Sequence, residues 1–429
     1  MKLKKLFQSS FAKSVAMITG GTAIAQLLSA LFSPIITRLY SPEEYGVLSI
    51  YTSILGLIVI SASLKYELGI PIAEDDEKAV NVMALCFFLL IIFVFVVFLI
   101  FSFFGEPLLM LLDASSLLNY RYLIPVGVFL GGAYNILLQW AYRNKDFKSI
   151  ANTKLAQSIT GNGVKVGLGF LHLGSIGLII GQILHQGAGL GTLSRSFSKH
   201  NIHLVKKINK NGMLWGAKRY KNFPIFTAPA QFLNTAGIQL PIFFITSLYG
   251  SEILGFYGLA NSIVNLPMVL IGNSVGDVFY GEAASVGRSN PKRIKNLSNK
   301  LFKNLLLIGL IPLLTLLFFG PFLFSFVFGS QWYEAGVYAR ILAFLVFARF
   351  IFTPISRIYP VFERQKEKLI LDVFRVVLVF ASFIIAKFLG LSSYGAVILY
   401  SIAMSIVYLV TYLLAQRILN QEIKKKENV

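Results

Sequence analysis

The stretch AVNVMALCFFLLIIFVFVVFLIFSFF, residues 79–104, contains no charged side chain. A transmembrane helix needs about 20 apolar residues in a row, because each residue adds about 1.5 Å along a hydrocarbon core about 30 Å thick. This stretch is therefore predicted to cross a bilayer. The whole 429-residue chain has the same character, with 56% hydrophobic residues, 14% charged residues and a mean hydropathy of +0.70. Such a composition excludes a soluble enzyme and a disordered chain.

Eleven more apolar stretches of similar length flank this one and lie at residues 14–39, 45–64, 117–141, 151–171, 173–194, 223–248, 254–280, 300–320, 335–358, 368–389 and 394–417. The predicted fold class is therefore an all-α integral membrane protein with about twelve transmembrane helices. An even number of spans places both termini on the same side of the membrane.

A long basic segment, SFSKHNIHLVKKINKNGMLWGAKRYK at residues 196–221, divides the predicted helices into two sets of six. We therefore predict an N-terminal six-helix bundle at residues 1–195, a cytoplasmic basic linker at 196–221 and a C-terminal six-helix bundle at 222–429. The motif PEEYGVLSIYTSI after the first span parallels EILGFYGLANSI after the seventh, so the halves are predicted to be repeats. Parallel repeats are related by a pseudo-twofold axis along the membrane normal, and a cavity between them is the expected binding site.

The basic residues predict the orientation. The formal net charge is +20, and most of the 39 Lys and Arg residues fall in short loops and chain ends on one side of the predicted spans. Loops that stay in the cytoplasm carry the excess positive charge, so both termini are predicted to be cytoplasmic. Because these residues do not lie on a soluble domain, no nucleic-acid partner is expected.

Residues that carry out chemistry are sparse. The four histidines are scattered, and the single cysteine, Cys86, lies inside an apolar stretch. Neither metal-ligand spacing nor a nucleophile with a base partner is present in the sequence. We therefore expect no catalytic residue, no metal site and no cofactor, and we predict that the protein is not an enzyme.

Three cations, Lys165, Arg349 and Arg375, lie inside apolar stretches, where an unpaired charge costs at least roughly 3 kcal/mol at the bilayer centre. Together with Arg38, at the outer end of the first span, they are candidate substrate-binding residues that face water or an anionic ligand. There are alternatives for three of them. Lys165 is close enough to the outer end of its span to reach the interface, Asp372 is placed to neutralise Arg375, and Arg38 is equally suited to anchor at lipid headgroups.

Polar side chains form stripes along several spans, because residues three and four apart share one helical face. The stripes contain Thr19, Thr22, Gln26, Ser29, Ser33 and Thr37 in the first span, Asn135 and Gln139 in the fourth, Lys154, Ser158 and Asn162 in the fifth, Gln231 and Asn234 in the seventh, and Asn261 and Asn265 in the eighth. The predicted substrate-binding members are Gln26, Ser29, Gln231, Asn234, Asn261 and Asn265. The alternative is that such residues only form hydrogen bonds between helices.

Three acidic residues are candidates for coupling transport to a proton or sodium gradient: Glu67, Asp277 and Glu282. Their position near the cytoplasmic ends of spans favours ordinary interfacial charges instead.

Four longer motifs carry a family resemblance: LYSPEEYGVLSIYTSI at Leu39–Ile54, LKYELGIPIAEDDEKA at Leu64–Ala79, KRYKNFPIFTAPAQFLN at Lys218–Asn234, and GFYGLANSIVNLPMVLIGNSVGDVFYGEA at Gly255–Ala283. With these motifs the chain resembles, over essentially its whole length, the polysaccharide biosynthesis proteins of the Wzx or PST type within the MOP exporter superfamily.

The resemblance implies a flippase in the bacterial cytoplasmic (inner) membrane. Its cargo would be an undecaprenyl-diphosphate-linked oligosaccharide for O-antigen, lipopolysaccharide, capsule or another surface polysaccharide, moved to the outer leaflet by two bundles that alternate in access. Expected partners are a polysaccharide polymerase and chain-length machinery. Alternatives are an ion-coupled exporter of the MATE type, which shares the two bundles, and a membrane polysaccharide polymerase or ligase. A lipid II flippase is also similar, but such proteins typically have two additional helices.

Overall fold

The computed structural model describes residues 10–286 and 290–427 of the chain. Contacts between residues divide the chain into two units, with the boundary between Ser251 and Glu252. Both chain ends lie outside the described ranges. The predicted cytoplasmic location of the termini therefore stays a prediction.

The first unit begins with six long helices, α1 (Ser10–Leu39), α2 (Pro42–Val59), α3 (Asp76–Phe103), α4 (Leu123–Arg143), α5 (Phe147–Phe170) and α6 (Ser175–Asn201). The next helix, α7 (Ala228–Val264), crosses the boundary between the units and is interrupted at Gly250. Gly250 has φ 87° and ψ 175°, a conformation that is open to glycine because it has no Cβ atom. This residue therefore separates the predicted seventh and eighth spans.

The second unit contains the remaining helices, α8 (Asn273–Val286), α9 (Pro291–Phe328), α10 (Tyr333–Phe352), α11 (Gln365–Phe388) and α12 (Ser393–Glu427). Helices α9 and α12 have 38 and 35 residues. At 1.5 Å per residue they are about 57 Å and about 52 Å long, which exceeds a hydrocarbon core of about 30 Å. One end of α9 is tied to α12, because Gln416 Nε2 donates to Ser298 Oγ at 2.9 Å and Lys295 Nζ donates to Asn420 Oδ1 at 2.6 Å.

Short polar residues mark where helices begin. The Ser41 hydroxyl caps α2 by accepting from the backbone N–H of Glu44, and the Glu44 carboxylate accepts from the backbone N–H of Ser41. Two backbone N–H groups at the helix start are thereby satisfied. Asp75 caps α3 by accepting from the backbone N–H of Lys78 at 2.7 Å. Asp146 caps α5 in the same way, by accepting from the backbone N–H of Ser149 at 3.1 Å.

The predicted fold class is confirmed, and every predicted span coincides with a long helical segment of the described residues. The span predicted at residues 79–104 is Asp76–Phe103. Nine helical stretches of the described residues are long and apolar enough to cross a membrane, and one of them, Phe223–Val286, contains both the seventh and eighth predicted spans. Helices α2 and α5 are not among the nine: α2 has Glu43 and Glu44 in its first turn, and α5 carries three lysines and several amides.

The segment at 196–221 is not an extended linker. It contains the end of α6, a 3-10 turn at Ile202–Lys207 and a short helix at Lys210–Arg219. The short helix packs against α3, where Gly212 lies on Asn81 and Gly216 lies on Val82. The basic segment is therefore part of the first unit, and the predicted division of the chain at 195 and 222 stays a prediction.

Helix α5 lies against both α1 and α6 within the first unit. The hydroxyl of Thr153 donates to the carbonyl of Gly189 at 2.9 Å, which joins α5 to α6 through a buried contact. In the second unit, α10 packs against α9 and α12. The result in the first unit is a set of helices whose polar faces meet, and the candidate site lies there.

Candidate functional site

A polar cavity of about 570 Å³ lies within the first unit. Helices α2, α4, α5, α6 and α7 each present one face to it, and the turn after α2 completes the wall. The lining residues are Thr52, Leu55, Gly56, Val59, Ile60, Lys65, Glu67, Leu68, Gly131, Tyr134, Asn135, Gln139, Lys154, Gln157, Gln182, His185, Gln186 and Gln231. This size falls in the range of small-molecule and cofactor sites, which is about 300–1,000 Å³.

Helical spacing explains which residues of α4 line the cavity. Gly131, Asn135 and Gln139 are four residues apart, so they share one face of the helix, and that face lines the cavity. Gly131 leaves space because a Cβ atom there would lie 3.2 Å from the Gln186 carboxamide and from Val59. A small residue on this face therefore keeps the cavity open.

The turn after α2 brings a buried ion pair into the cavity wall. Leu64 and Lys65 have φ values of 51° and 63°, so the backbone is left-handed at two successive residues. The turn places Lys65 Nζ 3.4 Å from Glu67 Oε1, and the Ser63 hydroxyl donates to Glu67 Oε2 at 2.6 Å. Lys65 is 8% exposed and Glu67 is 3% exposed. The sequence position of Glu67 favoured an ordinary interfacial charge, whereas this turn carries the carboxylate inward and buries it in the cavity wall.

Two more lysines approach the cavity from α5. Lys154 lines it, with its ammonium group 5.1 Å from the centre of the Tyr134 ring. Lys165 does not line it, but its Nζ donates to Gln182 Oε1 at 3.2 Å, and Gln182 does line it. Lys165 is therefore directed towards α6 and the cavity wall, not along the helix towards the interface.

Most other polar groups of the wall are carboxamides, on Asn135, Gln139, Gln157, Gln182, Gln186 and Gln231. Carboxamides both donate and accept hydrogen bonds, so they suit neutral hydroxyl groups. Within the described residues, the Oε1 atom of Gln186 and the Nδ1 atom of His185 are buried and have no hydrogen-bond partner. Buried polar atoms of this kind usually have a partner, so a ligand or water is expected at both.

Two contacts hold the frame of the cavity at one end. Arg143, at the end of α4, donates to the carbonyls of Ile70 and Ala73 at 3.1 and 2.7 Å and pairs with Asp76 at 2.9 Å. Asp146 accepts from the hydroxyl of Ser196 at 2.6 Å, which links the start of α5 to the end of α6. Burial raises the pKa of Asp146, but the hydrogen bonds from Ser149 and Ser196 outweigh it and hold the pKa below its ordinary value.

Some predicted site residues of the first unit lie elsewhere. Ser29 is 3.0 Å from the Ser158 hydroxyl and accepts from Asn162 at 3.0 Å, so this part of the α1 stripe joins α1 to α5. Arg38 donates to the carbonyl of Pro34 at 3.5 Å on an exposed surface. Gln26 and Asn234 do not line the cavity. Of the predicted substrate-binding residues, Gln231 is the one that lines it.

The predicted site residues of the second unit form local pairs. Arg349 donates to Asn265 Oδ1 at 3.2 Å, and Asn265 Nδ2 donates to the Asn261 carbonyl at 2.7 Å. The partner of Arg349 is therefore the side-chain amide of Asn265, which directly follows α7. Arg375 pairs with Asp372 at 3.1 Å.

Asp372 also pairs with Lys368, at 2.7 Å, so this single carboxylate is shared by two cations. Asp277 pairs with Arg357 at 3.1 Å, and both side chains are largely exposed. Glu282 is exposed. Asp277 and Glu282 are therefore both exposed, and their predicted place at the membrane interface stays a prediction. No group of three or more potential metal ligands occurs among the described residues.

The sequence analysis did not predict that these residues line a single cavity. Some of them were identified, since Asn135, Gln139 and Lys154 belong to the polar stripes of α4 and α5. Lys65 was not among the predicted site residues, because nothing in the spacing of residues 60–69 predicts the left-handed turn that buries it. The polar face of α6, with Gln182 and Gln186, lies in a stretch dominated by glycine and was not recognised.

The chain matches, over residues 35–337, the model of a family described as polysaccharide biosynthesis protein. A curated relative, the teichuronic acid biosynthesis protein TuaB of Bacillus subtilis (strain 168), is 23% identical over 225 residues, which cover 52% of this chain. The matched region spans 45% of that relative's length.

Several solved structures are similar over nearly the whole chain. A multidrug resistance MATE family transporter of the MOP superfamily, in an inward-facing conformation, superposes with a TM-score of 0.77 at 15% identity and covers 95% of this chain and 99% of that one. The MATE multidrug transporter DinF-BH gives 0.68 at 17% identity, with 96% of each chain covered. A MOP superfamily transporter from Pyrococcus furiosus, described as having a binding pocket of reverse polarity, gives 0.64 at 15% identity, with 97% and 98% covered. At these identities the likeness shows the fold.

Proposed function

We propose that this chain, which belongs to the polysaccharide biosynthesis protein family, is a flippase for a polyprenyl-diphosphate-linked oligosaccharide. It would move this lipid from the cytoplasmic to the outer leaflet of a bacterial inner membrane by alternating access. The observation that carries the proposal is the cationic, carboxamide-lined cavity inside an apolar membrane protein.

The cargo needs a cavity of this kind. A sugar and diphosphate headgroup cannot cross hydrocarbon unaided, because each polar group that loses its hydrogen bonds there costs several kcal/mol. Carboxamides replace the water around sugar hydroxyls, and lysines attract anionic groups. The polyprenyl tail stays in the lipid, so the protein has to enclose only the headgroup.

The membrane potential supplies a driving force. A diphosphate with about two negative charges gains roughly 4.6 kcal/mol per 100 mV when it moves outward across a membrane that is negative inside. The proposal includes coupling to a proton or sodium gradient, with Glu67, which lines the cavity, as the acid. Cytoplasmic termini, and a polysaccharide polymerase with chain-length machinery as partners, complete the proposal.

The second candidate is an exporter of the MATE type, and the fold of the solved structures favours it equally. A cationic drug requires carboxylates in its site, whereas Glu67 is the single carboxylate among the described residues that line this cavity. Glu67 is already paired with Lys65. The charge of the wall therefore favours an anionic cargo, and the family favours transport over catalysis.

The experiment is translocation in proteoliposomes. A fluorescent polyprenyl-diphosphate oligosaccharide is placed in both leaflets, and the fraction that a membrane-impermeant quencher reaches is followed with time. We expect Lys154→Gln to slow translocation by roughly tenfold or more, because a hydrogen bond to a charged group contributes about 1.5–3 kcal/mol.

The matched control is Lys148→Gln, which makes the same charge change on the exposed start of the same helix. It should translocate like the unmodified protein. A protein that leaves the lipid in place but exports a cationic dye would overturn the proposal and support the exporter.

A further inference from the structure

We infer that the cavity of the first unit selects an oligosaccharide that carries a carboxylate, such as a hexuronic acid unit. This inference rests on the proposed function and names the class of sugar that the same site takes. The carboxylate would bind between Lys65 and Lys154, and neutral hydroxyls would bind the surrounding carboxamides.

The first argument is the charge of the wall. Lys65 and Lys154 line the cavity, and Lys165 reaches it through Gln182. Glu67 is the carboxylate among the described lining residues that opposes them, and it contacts Lys65. Lys154 has a Tyr134 ring beside it, and no ion pair among the described residues includes it. A half-buried ammonium group in this position is stabilised by an anion that enters with the ligand.

The second argument is the pair of buried atoms without partners. The Gln186 oxygen and the His185 Nδ1 atom lie in the wall, on the same helix as Gln182. A sugar ring presents several hydroxyl groups in fixed directions, and each both donates and accepts. A ligand with hydroxyls beside one carboxylate therefore satisfies the carboxamides, the orphaned atoms and the lysines together.

The third argument separates the sugar from the diphosphate. Among the described residues of this wall the cations are lysines, whose compact ammonium groups bind a carboxylate or a phosphate as point charges, so the position of each anionic group decides between them. The lysines come from separate elements, the turn after α2 and helix α5. The diphosphate is joined directly to the polyprenyl chain, so it remains near the lipid. The sugars are the part of the cargo that extends into an enclosed cavity.

The test is binding to the purified full-length protein in detergent, measured by isothermal calorimetry with soluble probes that lack lipid. The probes are digalacturonate, the neutral disaccharide digalactose and inorganic pyrophosphate. Digalacturonate is expected to bind, and Lys154→Gln should weaken it roughly tenfold or more. Lys154→Arg should restore most of the affinity, and Lys148→Gln should leave it unchanged.

A second variant distinguishes binding from folding. Glu67→Gln removes the carboxylate that competes for Lys65, so digalacturonate should bind several times more tightly even though the protein is less stable. A residue with only a structural role would not tighten binding.

Two results would overturn the inference. In the first, digalactose binds as tightly as digalacturonate. In the second, digalacturonate does not bind, whereas pyrophosphate does and its binding is weakened by Lys154→Gln. Because the probes bind without crossing a membrane, this outcome is separate from the translocation result. Translocation of a lipid with neutral sugars at the same rate as one with uronate sugars would contradict the inference and leave the flippase proposal intact.

Discussion

The buried ion pair of the cavity wall gives a prediction about stability. Lys65 Nζ and Glu67 Oε1 are 3.4 Å apart, and the two residues are 8% and 3% exposed. Glu67→Gln keeps the shape of the side chain and an acceptor for Ser63, but it leaves the Lys65 charge buried without a counterion. Removing one member of such a pair costs about 3–5 kcal/mol, because the remaining charge has lost its water.

The protein carries its own reporter for this measurement. Cys86 is the one cysteine in the sequence, and its exposure in α3 is 0%. A maleimide dye that fluoresces on reaction with a thiol therefore reports unfolding of this unit on heating. Since about 1 kcal/mol shifts Tm by about 2–4 °C for a unit of this size, Glu67→Gln should lower Tm by roughly 6–20 °C.

The control is Glu74→Gln, which removes the carboxylate of an exposed pair with Lys78. Exposed pairs contribute about 0–1 kcal/mol, so Tm should hardly move. The double variant Lys65→Met with Glu67→Gln should regain part of the loss, because no unpaired charge remains. If the Tm of Glu67→Gln equals that of Glu74→Gln, the pair of Lys65 and Glu67 is not buried from water as described and the reasoning fails.

Three further predictions concern other parts of the chain. Asp146 accepts a hydrogen bond from Ser196, and its pKa in the folded protein lies below the ordinary value of 3.8. The ionised carboxylate therefore stabilises the fold fully above pH 3.8, and this contribution is lost as the pH falls through the pKa of the folded protein. Asp146→Ala should lower stability by about 1 kcal/mol near neutral pH and remove this acid dependence, as measured by tryptophan fluorescence during unfolding. Gly131→Leu should fill part of the cavity and slow translocation in proteoliposomes while the protein still inserts; an unchanged rate would mean that the cargo does not pass this wall. Arg349→Ala removes the hydrogen bond to Asn265 and should reduce translocation without loss of insertion, and an undiminished rate would exclude Arg349 from the transport site.

The fold was largely predictable from the sequence, because hydrocarbon imposes one simple requirement on every span. An uncharged stretch such as residues 79–104 has to be a helix of nearly that length, and the structure begins it three residues earlier, where Asp75 supplies the cap. Helix α5 was found from the same reasoning although lysines and amides interrupt it. The family resemblance drawn from the motifs was confirmed by the match over residues 35–337.

The site was less predictable, because periodicity shows which residues share a face but not what that face meets. The stripe on α1 was interpreted as a cavity lining, yet Ser29 contacts Ser158 and Asn162 of α5. Conversely, Lys65 was not predicted to lie in the site, because helical spacing does not show the left-handed backbone at Leu64 that turns it inward. Both errors arise from contacts between distant segments, which helical spacing alone does not contain.

The great length of α9 and α12 has a practical consequence for microscopy. Hydrogen bonds of Gln416 with Ser298 and of Lys295 with Asn420 join these two helices at one end. Both helices are longer than the hydrocarbon core is thick, so the joined end is a stiff extension beyond it. A helical fusion partner joined in register to the end of α12 would inherit that stiffness. Such a fiducial would allow a small protein buried in a detergent micelle to be aligned in single-particle images.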